Sequence, residues 1–167
     1  MRTDLPVTIR PAGPGSRPAL DALIERCSSE TLYRRFHGSA VGPIRHELDR
    51  IAAPSADHRS WLAVSPADGE VHGTATLAWG PGGPEIAFVV EDGWRRRGLG
   101  RRLFAVALAE AAQSGEASVG ATVQADNERA LRFVRAVAPA AVSRYAGGNE
   151  VAVRVPVPPP SPAQEAA

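Results

Sequence analysis

Residues 89–102 read VVEDGWRRRGLGRR, and this stretch determines which fold the rest of the chain favours. Five of the eight residues from Arg95 to Arg102 are arginine, and none of the eight is acidic. The apolar run Phe88–Val90 before the loop predicts a buried strand, and the alanine-rich segment Leu99–Gln113 predicts a helix that ends near Gly115. The predicted local order is therefore strand, glycine turn, helix.

The arginines at the start of this helix favour the binding of an anion. A helix N-terminus carries a partial positive charge, so each nearby cation costs about 0.3 to 1 kcal/mol unless an anion compensates it. Gly98 and Gly100 expose backbone N–H groups, which together with the helix start can cradle a phosphate. We therefore predict that this turn binds a pyrophosphate through Arg95, Arg96, Arg97, Gly98, Leu99, Gly100, Arg101 and Arg102.

The same segment resembles the GNAT acetyltransferase superfamily, whose signature is an apolar strand, a V-x-x-x-[YW]-R-x-x-G-x-G loop and a helix. Val90, Trp94, Arg95, Gly98 and Gly100 match this signature. The resemblance implies acetyl-CoA, or another short acyl-CoA, as co-substrate. It also implies that the backbone of the strand before the loop, at Phe88 and Val90, binds the pantetheine arm.

Two further segments are similar to the same family. Asn127, Ala130 and Phe133 match the shorter signature N-x-x-A-x-x-F, on the helix that flanks the pantetheine in the family, so the resemblance places Asn127 in the cofactor site. Residues 28–38, SSETLYRRFHG, are similar to a helix of bacterial GNAT domains that acylate protein lysines and acyl-CoA synthetases. The acceptor that the resemblance implies is a primary amine, on a protein lysine or a small molecule.

Hydrophobic periodicity and turn residues outline the remaining elements. Antiparallel strands followed by a βαβ unit predict an α/β (α+β) fold with a mixed, mostly antiparallel sheet of six to seven strands and helices on both faces, as in the GNAT fold. We expect one domain over residues 1–155 and a disordered, Pro/Ala-rich tail over 156–167. The expected strands are Val7–Arg10, Trp61–Val64, Val71–Trp79, Glu85–Val90, Val119–Gln124, a segment near 143–145 and Glu150–Val155; the expected helices are Ala19–Arg26, Glu30–Phe36, Ile44–Ile51, Leu99–Gln113 and Asn127–Val137.

Amide formation from a thioester requires an uncharged amine, so a base must accept the ammonium proton. Glu85 opens the strand where many GNAT members hold a glutamate base, and its neighbours Ile86, Ala87 and Phe88 would favour its protonated form by desolvation. The alternative is a carboxylate at the strand edge that faces water.

Many relatives place a tyrosine after the N-x-x-A-x-x-F motif to protonate the leaving thiolate, but Val134 stands there. The chain therefore departs from the family pattern at the position of the general acid. Tyr145 either substitutes for that tyrosine or packs beside the last strand with its hydroxyl at the surface.

Composition excludes several classes of protein. The 167 residues carry a net charge of only +1, all 19 basic residues counted as Lys plus Arg are arginine, and no apolar run is long enough to cross a bilayer. The single cysteine, Cys27, excludes an internal disulfide, and we expect it to pack against a helix. The histidines lack metal-ligand spacing and are expected at the surface or in turns: His37, His46, His58 and His72.

These features predict a cytoplasmic N-acyltransferase, monomeric or homodimeric, that uses no metal and binds neither nucleic acid nor membrane. A non-catalytic acyl-CoA-sensing module is the alternative from a different class. The arginine cluster alone would also suit a nucleic-acid patch or a solvated helix face, although we consider both less consistent with the glycine spacing.

Overall fold

A seven-stranded sheet with strand order β1-β2-β3-β4-β5-β7-β6 forms the centre of the computed structural model, which describes residues 7–38 and 40–159. The strands are β1 (Thr8–Pro11), β2 (His58–Val64), β3 (Val71–Gly80), β4 (Gly83–Val90), β5 (Ser118–Gln124), β6 (Val142–Gly147) and β7 (Glu150–Pro156). The helices are α1 (Arg17–Arg26), α2 (Ser29–Phe36), α3 (Val41–Ala52), α4 (Leu99–Gln113) and α5 (Glu128–Val137). Short 3-10 turns lie at Pro14–Ser16 and Asp92–Trp94.

The sheet is antiparallel except between β4 and β5, which run parallel. A parallel neighbour requires a crossover connection, and α4 provides it between these two strands. The predicted mixed and mostly antiparallel sheet is thereby confirmed.

Helices cover both faces of the sheet because strand residues alternate between two apolar cores. On one face, Leu77, Ile86 and Val119 share a core with Leu103 and Phe104 of α4. The other core lies under α1 and α3 and contains Leu20, Leu23, Leu48, Ile51, Leu62 and Val89. Full burial of each such side chain stabilises the fold by roughly 1.5–3 kcal/mol relative to exposure.

Most of the helix and strand boundaries that we predicted from the sequence lie within a few residues of the observed ones. Helix α4 has the predicted bounds, whereas α3 begins three residues earlier than expected and includes Pro43 in its first turn, where proline is tolerated. Pro156, which we assigned to the tail, is the last residue of β7 and pairs with Ser118. The rest of the predicted tail from residue 160 onward lies outside the described residues.

The last two strands form the outer edge of the sheet. β6 pairs with β7 alone, with a register shift between Tyr145 and Gly147. Its residues 142–147 are all exposed. None of the helices in the described part of the chain has the length and apolarity that crossing a membrane would need.

Candidate functional site

The turn between β4 and α4 adopts backbone conformations that glycine favours. Gly98 precedes α4 with a φ of +81°, where any other residue would be strained. It provides no side-chain cap, so the first N–H groups of α4 keep their donor capacity. Arg96, with a φ of 62°, also lies in the left-handed region that costs a non-glycine residue energy.

Arg95 is directed toward α2. Its Nη1 lies 2.6 Å from Asp92 Oδ1, and its Nη2 donates a hydrogen bond to the hydroxyl of Thr31. Burial lowers the pKa of Arg95, as does nearby Arg129, whereas Asp92 raises it. The signature arginine therefore joins the glycine loop to the helix that covers it.

The structure brings together most of the predicted cofactor-binding residues around one open cavity of about 780 Å³. Arg97 and Arg102 lie outside its lining: the Arg97 guanidinium is 5.4 Å from the Trp94 ring centroid, and Arg102 Nη2 donates to the carbonyl oxygen of Val7 at 2.5 Å. The predicted residues that line the cavity are Glu85, Phe88, Val90, Arg95, Arg96, Gly98, Leu99, Gly100, Arg101 and Asn127.

Arg129, which we did not predict from the sequence, also lines the cavity. It lies in the first turn of α5, so it opposes the helix dipole as the loop arginines do at α4, and this signal was available in the sequence. Among residues 7–38 and 40–159, Arg96, Arg101 and Arg129 have no carboxylate within ion-pair distance. The cavity therefore presents guanidinium groups that a bound anion would neutralise.

β4 and β5 are joined at a single register pair, Glu85 and Gly120. Beyond it toward the loop, β4 continues from Ile86 to Val90 without a ladder to β5. Phe88 and Val123 line the cavity along this opening. β4 is paired with β3 on one side. On its other side, which faces the opening, its backbone N–H and C=O groups can hydrogen-bond a ligand.

Helix α5 closes the far side of the opening. Asn127 is its N-cap and accepts a hydrogen bond from the N–H of Ala130 at 3.2 Å, which is a structural role for the first residue of the second signature. The ring of Phe133 packs against Phe88, with centroids 5.2 Å apart, and edge-on against Phe104 at 6.0 Å. The signature residues therefore fix α5 against β4 and α4.

The cavity extends over the opposite face of the sheet, where α2 and α3 carry charged residues. Arg35 Nη2 and Glu47 Oε1 are 3.2 Å apart, and Arg50 and His58 also approach the Glu47 carboxylate, at 3.4 and 3.9 Å. Burial raises the pKa of Glu47, but His58 and Arg35 more than offset this, and the pKa lies below its ordinary value. Glu47 is therefore a carboxylate held ionised by cations, which makes it a poor proton acceptor.

Glu85 lines the cavity, but its surroundings differ from the expectation. It is exposed, because Ile86 and Phe88 point to the other face of the sheet and Ala87 is too small to cover it. Its side chain runs across Gly120, where an added Cβ would lie 3.5 Å from Glu85 Cγ. We expected the neighbours of Glu85 to desolvate its carboxylate, and in this geometry they do not.

Two histidines are in the interior, which corrects the expectation that all four lie at the surface or in turns. His58 and His72 are each 3% exposed, because they occupy inward positions of β2 and β3. Cys27 is buried beside α1, as expected.

The structure supports no general acid at position 134 or at position 145. Val134 is buried and lines the cavity with an apolar side chain. Tyr145 lies on the exposed strand β6, and its hydroxyl donates to the carbonyl oxygen of Gly148 at 2.6 Å. It is not among the cavity residues.

Comparison with known proteins agrees with this geometry. The family model described as "Acetyltransferase (GNAT) family" matches residues 21–137. The solved GNAT domain of S. lividans PAT has a TM-score of 0.80 and 21% sequence identity, with 90% of each chain covered, and shows that the two chains share a fold.

Two curated relatives are similar over part of their length. "Acetyltransferase Pat" of Mycolicibacterium smegmatis is 34% identical over an alignment of 128 residues that covers 66% of this chain and 36% of that protein. "Mycothiol acetyltransferase" of Clavibacter michiganensis subsp. michiganensis is 42% identical over 69 residues, 41% of this chain and 22% of that protein. The chain thus aligns with well under half of either relative.

Proposed function

The chain belongs to the GNAT acetyltransferase family, and from that premise we propose that it transfers an acetyl group from acetyl-CoA to a primary amine. The observation that carries this proposal is the opening between β4 and β5 beyond the Glu85–Gly120 pair, which begins beside the arginine-rich turn. The cavity has one half beside the arginine-rich turn and another half that α2 and α3 cover. A thioester bound along the opening would lie between these halves, and the acceptor amine would enter from the half that α2 and α3 cover.

The turn suits the diphosphate of a coenzyme. Arg96, Arg101 and Arg129 supply positive charge, and the N–H groups at the start of α4 supply donors. A Cβ at Gly100 would meet Phe133 and Phe88 at 3.6 Å, an ordinary contact, so packing alone does not require glycine there. Close approach of a phosphate to the backbone does give a reason for it.

The free side of β4 suits the pantetheine arm. Amide groups of a ligand can pair with an unpartnered strand as a further strand would, and Phe88 and Val90 provide such a backbone beside the opening. One of these N–H groups would also stabilise negative charge that develops on the thioester oxygen.

Glu85 is the proposed base because it is the carboxylate at the end of the opening and has no competing cation within ion-pair distance among the described residues. It accepts the ammonium proton of the acceptor, directly or through water, and the neutral amine then attacks the thioester carbon. The bond from carbon to sulfur breaks as the amide forms. Because the pKa of a free thiol is about 8.5, the thiolate can take its proton from water or from the amine without a tyrosine at position 134.

The acceptor is a protein lysine or a small-molecule amine. Arg35, Glu47 and Arg50 line the acceptor half of the cavity, so the amine is recognised among charged groups. The experiment is a CoA-release assay with acetyl-CoA against lysine peptides and a panel of small amines, together with mass spectrometry of any copurified ligand. Acetyl-CoA-dependent release that requires one amine class supports the proposal.

A non-catalytic acyl-CoA-sensing module is the second candidate. The apolar Val134 and the exposed Glu85 favour it, because neither provides an evident proton donor or a desolvated base. Thermal stabilisation by acetyl-CoA without CoA release for any amine would favour the sensor. Failure of acetyl-CoA to bind would contradict both candidates.

A further inference from the structure

The turn between β2 and β3 brings two exposed carboxylates next to a buried imidazole. Asp68 and Glu70 lie in this turn, and His72 is the second residue of β3. The turn is well formed: the N–H of Gly69 donates to Ser65 O at 2.8 Å, and the N–H of Glu70 donates to Asp68 Oδ1 at 2.9 Å. The two carboxylates are therefore positioned by backbone hydrogen bonds and strand register.

His72 is held rigidly. Its ring stacks on Trp94, with centroids 3.8 Å apart and an interplanar angle of 14°, and its Nδ1 lies 2.8 Å from Glu91 Oε2. An ionised carboxylate only accepts hydrogen bonds, so Nδ1 carries the hydrogen and donates it. In the neutral ring, Nε2 then bears the lone pair.

That lone pair faces other acceptors. Nε2 is buried and has no hydrogen-bond partner among the described residues, and the nearest carboxylate oxygen, Asp68 Oδ1, is 3.9 Å away. One candidate ligand atom each from Asp68, Glu70 and His72 lies within 4.8 Å of the other two. Acceptors that converge without a donor are unfavourable unless a proton on Nε2 or a metal cation lies between them.

The local charge also favours a cation. Asp68, Glu70 and Glu91 contribute three carboxylates, and Arg26 is the guanidinium that approaches them, 3.0 Å from Glu91 Oε2 and 3.8 Å from Glu70 Oε2. With a neutral His72 ring, the group has an excess of about two negative charges at neutral pH. A divalent ion would balance it.

We infer that Asp68, Glu70 and His72 bind a divalent transition-metal ion, with zinc as the best match. One imidazole nitrogen and two carboxylate oxygens are ligands that zinc accepts, whereas calcium and magnesium prefer oxygen alone. Two ligands on one tetrahedral zinc ion lie about 3.3–3.6 Å apart, since each bond is about 2.0–2.2 Å. Nε2 and Asp68 Oδ1 are 3.9 Å apart, so small rotations of the exposed Asp68 and Glu70 side chains bring their oxygens into range.

Glu91 would orient the histidine ligand, as carboxylates commonly do behind metal-bound imidazoles. None of the three ligands lines the cavity described above, so the ion is structural and not part of the transfer reaction. The His72–Trp94 stack connects it to the residue directly before Arg95. We predicted no metal from the sequence, because the spacing among the histidines does not reveal a site with one histidine and two acids.

The test is calorimetric titration of tag-free, chelator-treated protein with zinc chloride, in parallel with thermal melts. We expect one saturable site and a higher melting temperature with zinc, since a ligand that binds the folded state stabilises it. The Asp68→Asn/Glu70→Gln double variant should bind zinc at least ~10-fold more weakly and lose the melting shift. An asparagine amide oxygen in place of the Asp68 carboxylate can still accept the backbone N–H of residue 70, so the turn should survive the change.

Glu25→Gln is the matched control, because Glu25 is an exposed acid on α1, and it should bind zinc as the wild type does. His72→Gln should also abolish binding, and its circular dichroism spectrum shows whether it folds. No saturable binding by wild-type protein up to millimolar zinc, equal affinity in the double variant, or preference for calcium or magnesium over zinc would each overturn the assignment.

Discussion

Glu85 of β4 and Gly120 of β5 form the one register pair that holds these parallel strands together, and the Glu85 side chain crosses directly over the glycine. The proposed base is thus fixed at the point where the sheet opens. Strand pairing fixes the backbone of Glu85, while its carboxylate remains exposed.

Replacing Glu85 by Gln should remove turnover and preserve ligand binding. We expect kcat to fall by about 10²–10⁴, as for loss of a general base, with the acetyl-CoA dissociation constant changed less than about twofold. CoA-release kinetics and calorimetry measure the two quantities, and Glu128→Gln, at an exposed position on α5, is the control. Unchanged activity of the Gln variant from neutral to alkaline pH would eliminate Glu85 as the base.

Gly98 and Gly100 should respond differently to alanine. Gly98→Ala places a side chain at a φ of +81°, which should lower the free energy of unfolding by about 1–2 kcal/mol. Gly100→Ala meets only ordinary contacts, so stability should stay equal or rise slightly, while acetyl-CoA affinity falls because the phosphate approach is blocked. Urea unfolding and calorimetry on both variants test this pair. Full acetyl-CoA affinity in Gly100→Ala would contradict a phosphate at this turn.

Arg101 and Arg97 provide a matched comparison of two neighbouring charges. Arg101 lines the cavity, whereas Arg97 lies over the Trp94 ring outside it. Arg101→Gln should weaken acetyl-CoA binding by roughly fivefold, about 1 kcal/mol, with the difference shrinking at high salt; Arg97→Gln should change it little. Equal losses in both variants would indicate a general effect of net charge.

Asp92 should give stability that depends on pH. Burial raises its pKa, but hydrogen bonds from the Ser28 N–H and the Thr31 hydroxyl, with Arg95 nearby, more than offset this, and the pKa lies below the ordinary 3.8. A carboxyl with a lowered pKa in the folded state stabilises it above that ordinary value and loses the effect as pH falls through the lowered value. Asp92→Asn should cost about 1 kcal/mol at pH 7, a value reduced by the partial exposure of the carboxylate, and less at pH 2, measured by urea unfolding. An equal cost at both pH values would show that ionisation of Asp92 is irrelevant.

Cys27 should be inert in the folded protein. Burial, followed by the charges of Asp92 and Glu91, raises the pKa of its thiol to about 11, so little reactive thiolate exists at pH 8. Alkylation by iodoacetamide should be much slower in the native protein than in 6 M urea. Rapid native labelling would contradict the burial of this side chain.

The sequence predicted those features that depend on local chemistry. The bounds of α4 and the glycine turn before it follow from apolar spacing and glycine placement, which act over a few neighbouring residues. Arg129 has the same signal as Arg101, an arginine in the first turn of a helix, where a cation opposes the helix dipole, so its place in the cavity was predictable from the sequence.

Side-chain direction within the strands was harder to predict. Whether a strand residue is buried depends on which face of the strand it occupies, and a shift of one residue reverses the face. His58 and His72 occupy inward positions, and the neighbours of Glu85 face away from it. The pairing of Arg35 with Glu47 joins two helices whose contact no local pattern reveals. The carboxylates beside His72 meet through a turn geometry that residue spacing does not encode.

The edges of the sheet affect how the molecule behaves at high concentration. An exposed strand can recruit a strand from a neighbouring molecule, and β6 presents Val142 and Tyr145 to solvent. The register shift between Tyr145 and Gly147 interrupts its regular ladder, and at the opposite edge β1 has four residues and ends in a proline. Both edges are therefore short templates for strand addition, and the regular part of β6 that a neighbouring molecule could extend is limited to residues 142–145.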